Sequence, residues 1–208
     1  MKLLRHPPTN HETTAYKVAI VTGLSNPRST DLSPAQHQFL DALPVPDTCK
    51  VRCNFPFFPT PKPQHDPSLI RASLNNTHQF VGSLSRDYKK NAKPHWRALC
   101  DSTERLFLIT GSCGYQLIDS LETRDPSRVH VLALGAVRFG TSRWDATKIL
   151  GRRDWIARWF TPNCDHSIDG LGHLGYWQNP TVLGIATNWV LDNLSESSAP
   201  AATFRQDG

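Results

Sequence analysis

Short apolar runs alternate along this chain with amphipathic stretches, and their order limits the fold. Residues 16–22, Tyr-Lys-Val-Ala-Ile-Val-Thr, are a β-branched run ending at Gly23, which predicts a buried strand leaving into a loop. A polar loop over 24–31 follows. Ser33-Pro34 reads as an N-cap with proline at the first helical position, opening a helix on Gln36, Phe39, Leu40 and Leu43 that Pro44 and Pro46 end. Residues 49–53 alternate like a second strand, and the proline-rich stretch 54–67 predicts a surface loop or rim without regular structure. Residues 69–100 are amphipathic but broken around Pro94, as expected of one or two helices.

The second half repeats the alternation. A compact apolar strand is predicted at 106–109, a turn of small residues at 110–114, and a helix at 115–121. After the Asp125-Pro126 turn comes a strand at 129–134 ending at Gly135, then a weaker one at 146–150. The stretch 181–194 carries Val182, Leu183, Ile185, Ala186, Trp189 and Val190 at helical spacing. Strands alternating with helices predict an α/β fold, a single doubly wound, mostly parallel sheet with helices on both faces. We expect a polar leader over 1–15, one domain over 16–194, and a tail over 195–208 that lacks a core-forming pattern.

Composition narrows the class. At 208 residues, 38% of them hydrophobic and 20% charged, the chain can bury a core and is neither a disulfide-stapled miniprotein nor a disordered tail. No run approaches the roughly 18 to 20 apolar residues of a membrane span, and the N-terminus reaches prolines before any apolar signal core develops. Five cysteines, an odd number at irregular spacing, point to a reducing compartment. A cytoplasmic location is expected. The net charge of +5 comes from 23 scattered Lys and Arg, with only Lys89-Lys90 and Arg152-Arg153 adjacent. Without a recognisable binding module, that balance implies mild attraction to anionic partners rather than nucleic-acid recognition.

Three motifs carry less than they promise. Lys17-Val-Ala-Ile-Val-Thr-Gly23 opens like a short-chain dehydrogenase, but Leu24-Ser-Asn-Pro27 follows where glycines should approach a pyrophosphate, and Ala92 stands four positions after Tyr88. Gly170-Leu-Gly-His-Leu-Gly175 satisfies a dinucleotide fingerprint literally, yet residues 163–169 before it are polar rather than strand-like. Cys49 with Cys53, and Cys164 with His166, lack a second pair at zinc-site spacing, so no metal and no cofactor are expected.

The informative segment is Leu106-Phe-Leu-Ile-Thr-Gly-Ser-Cys-Gly-Tyr-Gln-Leu: buried strand, tight turn, helix. A nucleophile elbow has this pattern, its central residue strained at the strand end and its neighbours two positions away kept small by crowding. Centred on Ser112 those neighbours are Thr110 and Gly114; centred on Cys113 they are Gly111 and the bulky Tyr115. Ser112 is therefore favoured, with Cys113 the alternative nucleophile. Plain turn chemistry would produce the same segment without catalysis.

From residue 18 to about 194 the chain resembles the α/β-hydrolase superfamily, in its small lidless esterase and thioesterase-like form. The resemblance implies the order nucleophile, acid, histidine, and Asp154 and His173 match those places after Ser112. It implies an oxyanion hole from the N–H of Cys113 and one from the loop after the first strand, Leu24. Asp145 and Asp165 are rival acids, His166 is the rival histidine, and Asp154 could instead pair with Arg152 or cap a helix over 155–160. Thr110 and Thr22-Gly23 depart from the usual elbow glycine and His-Gly, which keeps a non-catalytic binding or scaffold protein open.

Residues 136–145 leave room for a loop but no helical lid. An open site suits an acyl ester or thioester on a bulky protein or lipid carrier. Arg28, Arg138, Arg143, Arg152 and Arg153 fall in loops expected at the strand C-termini and favour an anionic substrate. Trp177 is a candidate pocket wall, while the usual role of Trp144, Trp155 and Trp159 is packing.

Overall fold

A computed structural model of the chain describes residues 2–24, 26–60 and 81–196. Among these residues, six strands form one sheet in the order β2-β1-β3-β4-β5-β6, every neighbouring pair parallel. The strands are β1 (Thr14–Thr22), β2 (Lys50–Val51), β3 (Thr103–Gly111), β4 (Val129–Leu134), β5 (Ala146–Gly151) and β6 (His166–Ile168). The helices are α1 (Pro34–Ala42), α2 (Arg86–Asp101), α3 (Gly114–Asp119), α4 (Trp155–Phe160) and α5 (Pro180–Glu196).

Two-residue periodicity along the strands feeds two cores. Ala19, Val21, Leu106, Leu108, Val131 and Ala133 face one side with α2 and α3. Val18, Ile20, Phe107, Ile109, Leu132 and Leu134 face the other with α1 and α5. Helix stripes match: Tyr88, Ala92, Trp96 and Leu99 on α2, and Val182, Ala186 and Val190 on α5, are buried at helical spacing. Helix α1 begins as its sequence predicts, with a capping box between Ser33 and Gln36 and proline at the first turn.

Four local expectations are corrected. Helix α2 runs unbroken through Pro94. An interior proline costs about 3 kcal/mol, but burying one leucine such as Leu99 is worth roughly 1.5–3 kcal/mol, so the stripe outweighs it. The start of the proline-rich stretch is core rather than rim: Asn54, Phe55 and Phe57 are buried, with the two rings edge-on at 5.3 Å. Its backbone stays satisfied without regular structure, because the Asn54 N–H donates to Thr30 O and the Phe55 N–H to Asn54 Oδ1. Residues 61–67 of that stretch lie outside the described residues. The polar segment before Gly170 contains β6, whose pairing to β5 needs backbone groups and no apolar side chains. Leu3 and Leu4, within the expected leader, are buried, and Leu4 shares the core of α2.

Candidate active site

In the sheet register Thr22 lies beside Gly111, Gly111 beside Leu134, and Leu134 beside Ile149, so the C-terminal ends of four strands stand level. Ser112 emerges from the middle of that edge, one residue beyond β3. Its φ of 51° lies in the left-handed region that costs a side-chain-bearing residue about 1–3 kcal/mol. The strain is held by both neighbours of the turn: the Ser112 N–H donates to Leu134 O, and the Val137 N–H donates to Ser112 O, each at 3.1 Å. At Gly114 a Cβ would fall 2.0 Å from Val21 O, so only glycine lets α3 start against β1. A parallel, doubly wound sheet with this strand, sharp turn and helix is the α/β-hydrolase type of fold.

Ser112 Oγ lies 2.9 Å from His173 Nε2, and His173 Nδ1 lies 3.0 and 2.9 Å from the two carboxylate oxygens of Asp154. Asp154 follows β5 and is fully buried. It also caps α4, Oδ1 accepting the Ala157 N–H at 2.9 Å, so capping and contact with the histidine are one arrangement rather than alternatives. Oδ2 accepts a hydrogen bond from the Tyr176 hydroxyl at 2.7 Å. Burial would raise the Asp154 pKa, but hydrogen bonds from His173, the Ala157 N–H and Tyr176 outweigh it and hold the carboxyl below its ordinary value of 3.8. His173 sits in the glycine-flanked loop between β6 and α5, which is joined to the acid's segment by the Arg153 N–H donating to Leu171 O.

The rival residues are not brought to this cluster. Asp165 Oδ2 accepts the Lys148 N–H, Asp145 and His166 are exposed, and Arg152 pairs with Asp169 at 3.1 Å. Cys113 is buried, and burial pushes its thiol up to about 11. Tyr115, the bulky neighbour of Cys113, turns into the core and donates to Ser142 Oγ.

Leu24 is buried beyond the end of β1. The preceding Thr22 is clamped by Asn54: Oδ1 accepts the Thr22 N–H at 3.0 Å, and Nδ2 donates to Thr22 O and Oγ1 at 3.1 and 3.0 Å. Gln36 Nε2 adds a bond to Thr22 Oγ1 at 3.3 Å. Thr22 thus serves as a polar anchor for the loop that leaves β1.

Among the expected substrate-binding residues, Trp177 packs edge-on to Phe39 at 5.3 Å and covers Gly111, where a Cβ would meet its ring at 2.7 Å. Arg138 is engaged within its own loop, donating to the carbonyls of Phe139 and Gly140, stacked 5.9 Å over the Tyr115 ring, and 3.9 Å from Asp119. Arg28 is exposed in the loop between β1 and α1. Arg143 corrects the expectation for its loop: it precedes β5 and pairs with Glu122, at the N-terminal ends of the strands. A concavity of about 510 Å³ beside His130, Arg143, Trp144 and Trp189 includes none of Ser112, His173 or Asp154. Among the described residues no helix is long and apolar enough to cross a membrane, and no three His, Cys, Asp or Glu side chains group as a metal site.

Two side chains of the cluster escape sequence reasoning. Tyr176 could have been found three residues after His173, where a hydroxyl beside a histidine loop is a natural second support. Asn54 gave no signal beyond being a polar residue shortly after β2.

No protein-family model and no curated protein matches the chain. Among solved structures it is similar to a candidate alpha/beta hydrolase of unknown function from Agrobacterium tumefaciens, with 13% identity and a TM-score of 0.48 over 95% of this chain and 93% of that one. It is also similar to esterase PE8, with 15% identity and a TM-score of 0.47 over 89% and 95% of the two chains. A further protein of unknown function from Agrobacterium tumefaciens shows 8% identity and a TM-score of 0.43 over 90% and 96%. These likenesses are too remote to bear on the chemistry, which is read from the site's own geometry.

Proposed function

We propose that the protein is a serine hydrolase that cleaves an acyl ester or thioester through Ser112, His173 and Asp154. The observation that carries this reading is the continuous chain of contacts from Ser112 Oγ through both ring nitrogens of His173 to a buried carboxylate, each step near 2.9 Å. In that geometry Nε2 of His173 accepts the Ser112 hydroxyl proton as Oγ attacks the acyl carbon, giving a tetrahedral oxyanion. The same proton then passes to the leaving alcohol or thiol, and water repeats the sequence on the acyl-enzyme. Asp154 fixes the tautomer with hydrogen on Nδ1 and stabilises the imidazolium. The N–H groups of Cys113, at the start of α3, and Leu24 are the donors assigned to the oxyanion.

Both nitrogens of His173 are engaged by Ser112 and Asp154, and the Cys113 thiol is raised by burial, so the serine reading is preferred over the cysteine one. Ester turnover with p-nitrophenyl acetate tests it: an initial burst of nitrophenolate is expected from the wild type and none from Ser112→Ala. An equal rate in the two proteins overturns the assignment.

A further inference from the structure

Helix α4 follows the buried acid directly and presents two different faces. Ile156 and Phe160 pack on Cys113 and Val137, and Ala157 is buried. Trp155 and Trp159, one turn apart on another stripe, are 77% and 84% exposed. Leu174, adjoining His173, is 79% exposed. Its loop is held against this segment by the hydrogen bond from the Arg153 N–H to Leu171 O and by the contact of His173 with Asp154. Scattered exposed apolar residues are ordinary, but two tryptophans and a leucine exposed on two segments that are hydrogen-bonded to each other next to Asp154 and His173 are of the kind that marks an interaction site.

The charges around the patch select its partner. Arg152, Arg153 and Arg158 flank the tryptophans, and Asp169 neutralises only Arg152. Asp154 is buried against His173, and Arg158 turns one guanidinium nitrogen to the Arg152 carbonyl. Arg153 is exposed beside them. Indole rings with an apolar body and an N–H tip, bordered by surplus arginine, suit the boundary between lipid headgroups and acyl chains. An acidic protein would complement the arginines but would leave the two outward indoles without an apolar counterpart.

We infer that the face formed by Trp155, Trp159 and Leu174, with Arg153 and Arg158 at its border, docks on an anionic phospholipid bilayer. This deepens the proposed function, since docking there would set Ser112 to meet an acyl group carried at the membrane surface. Binding itself requires no catalysis, so the two readings fail separately.

The test is cosedimentation of the full chain with vesicles of phosphatidylcholine alone and of phosphatidylcholine with about one-third phosphatidylglycerol. Wild type and Ser112→Ala should bind the anionic vesicles equally and lose binding at about 1 M salt, where charges are screened beyond about 3 Å. Trp155→Ser/Trp159→Ser and Arg153→Glu/Arg158→Glu should each weaken binding by at least about tenfold. The tryptophan variant should keep wild-type circular dichroism and wild-type turnover of a water-soluble ester. Failure of folded wild type to bind the anionic vesicles, or binding unchanged in both variants, overturns the inference. So does a wild-type dimer that the tryptophan variant abolishes, which would give the face to a second copy of the chain.

Discussion

Tyr176 donates its hydroxyl to Asp154 Oδ2 at 2.7 Å while accepting the Gly151 N–H at 2.9 Å, linking the acid to the end of the strand that precedes it. The ring lies against Gly135, where a Cβ would meet it at 2.6 Å and Asp154 Oδ2 at 2.8 Å. The carboxylate is therefore held by three donors from two segments: the Ala157 N–H of α4, and the Tyr176 hydroxyl and His173 of the connection between β6 and α5. Tyr176 acts on the serine only through Asp154, as a positioning residue.

Replacing Tyr176 with phenylalanine keeps the ring and removes one hydrogen bond to a charged group, worth roughly 1.5–3 kcal/mol. The expected result is a fall in kcat of about tenfold or more, with KM for a soluble ester nearly unchanged. A change confined to KM would show that Tyr176 acts on substrate rather than on the acid.

The depressed Asp154 pKa carries a pH dependence of stability. Because the folded value lies below the ordinary 3.8, the carboxylate's contribution is complete above that pH and is lost as pH falls through the lower folded value. The stability gap between wild type and Asp154→Asn should not narrow between neutral pH and about 4 and should shrink below it. Urea denaturation across this range measures it, and a gap that closes well above pH 4 contradicts the assigned direction.

Asn54→Ala removes the clamp on Thr22 and leaves buried backbone groups of Thr22 and Phe55 without their partner. Each such group costs roughly 1–3 kcal/mol, so a loss of at least about 2 kcal/mol in unfolding free energy is expected. The clamp sets the strand end that precedes Leu24, so kcat should fall further than any rise in KM explains.

Cys113 separates two chemistries that its position beside Ser112 would otherwise confuse. With its thiol buried and pushed up to about 11, Cys113 should resist iodoacetamide at neutral pH, while the exposed Cys164 labels readily. Cys113→Ala should retain ester turnover within about threefold of wild type, since its backbone N–H survives the change. Rapid labelling of Cys113 together with loss of turnover in Cys113→Ala would transfer the nucleophile to sulfur.

The legibility of the chain follows from where local pattern and tertiary demand agree. Strands β1, β3 and β4 announce themselves because both faces of the sheet are covered, so residues 18–21, 106–109 and 131–134 are unbroken apolar runs. The elbow shows because crowding at Ser112 admits only small neighbours, and Gly114 records the closeness of β1 directly. By contrast, β6 is a short strand at the sheet edge with exposed His166 and Ser167, and its backbone pairing leaves no mark on side-chain polarity. Phe55 and Phe57 were hidden by prolines, which exclude regular structure without excluding burial. Asn54 and Tyr176 act through side-chain hydrogen bonds to Thr22 and Asp154 across 32 and 22 residues of chain, contacts that no periodicity can encode.

The central claim is that Ser112 is an activated nucleophile, and labelling by a fluorophosphonate probe tests it most directly. Wild type and Cys113→Ala should label, while Ser112→Ala and His173→Ala should not. A folded wild type that takes up no probe, or a Ser112→Ala variant that labels as well as wild type, would contradict it.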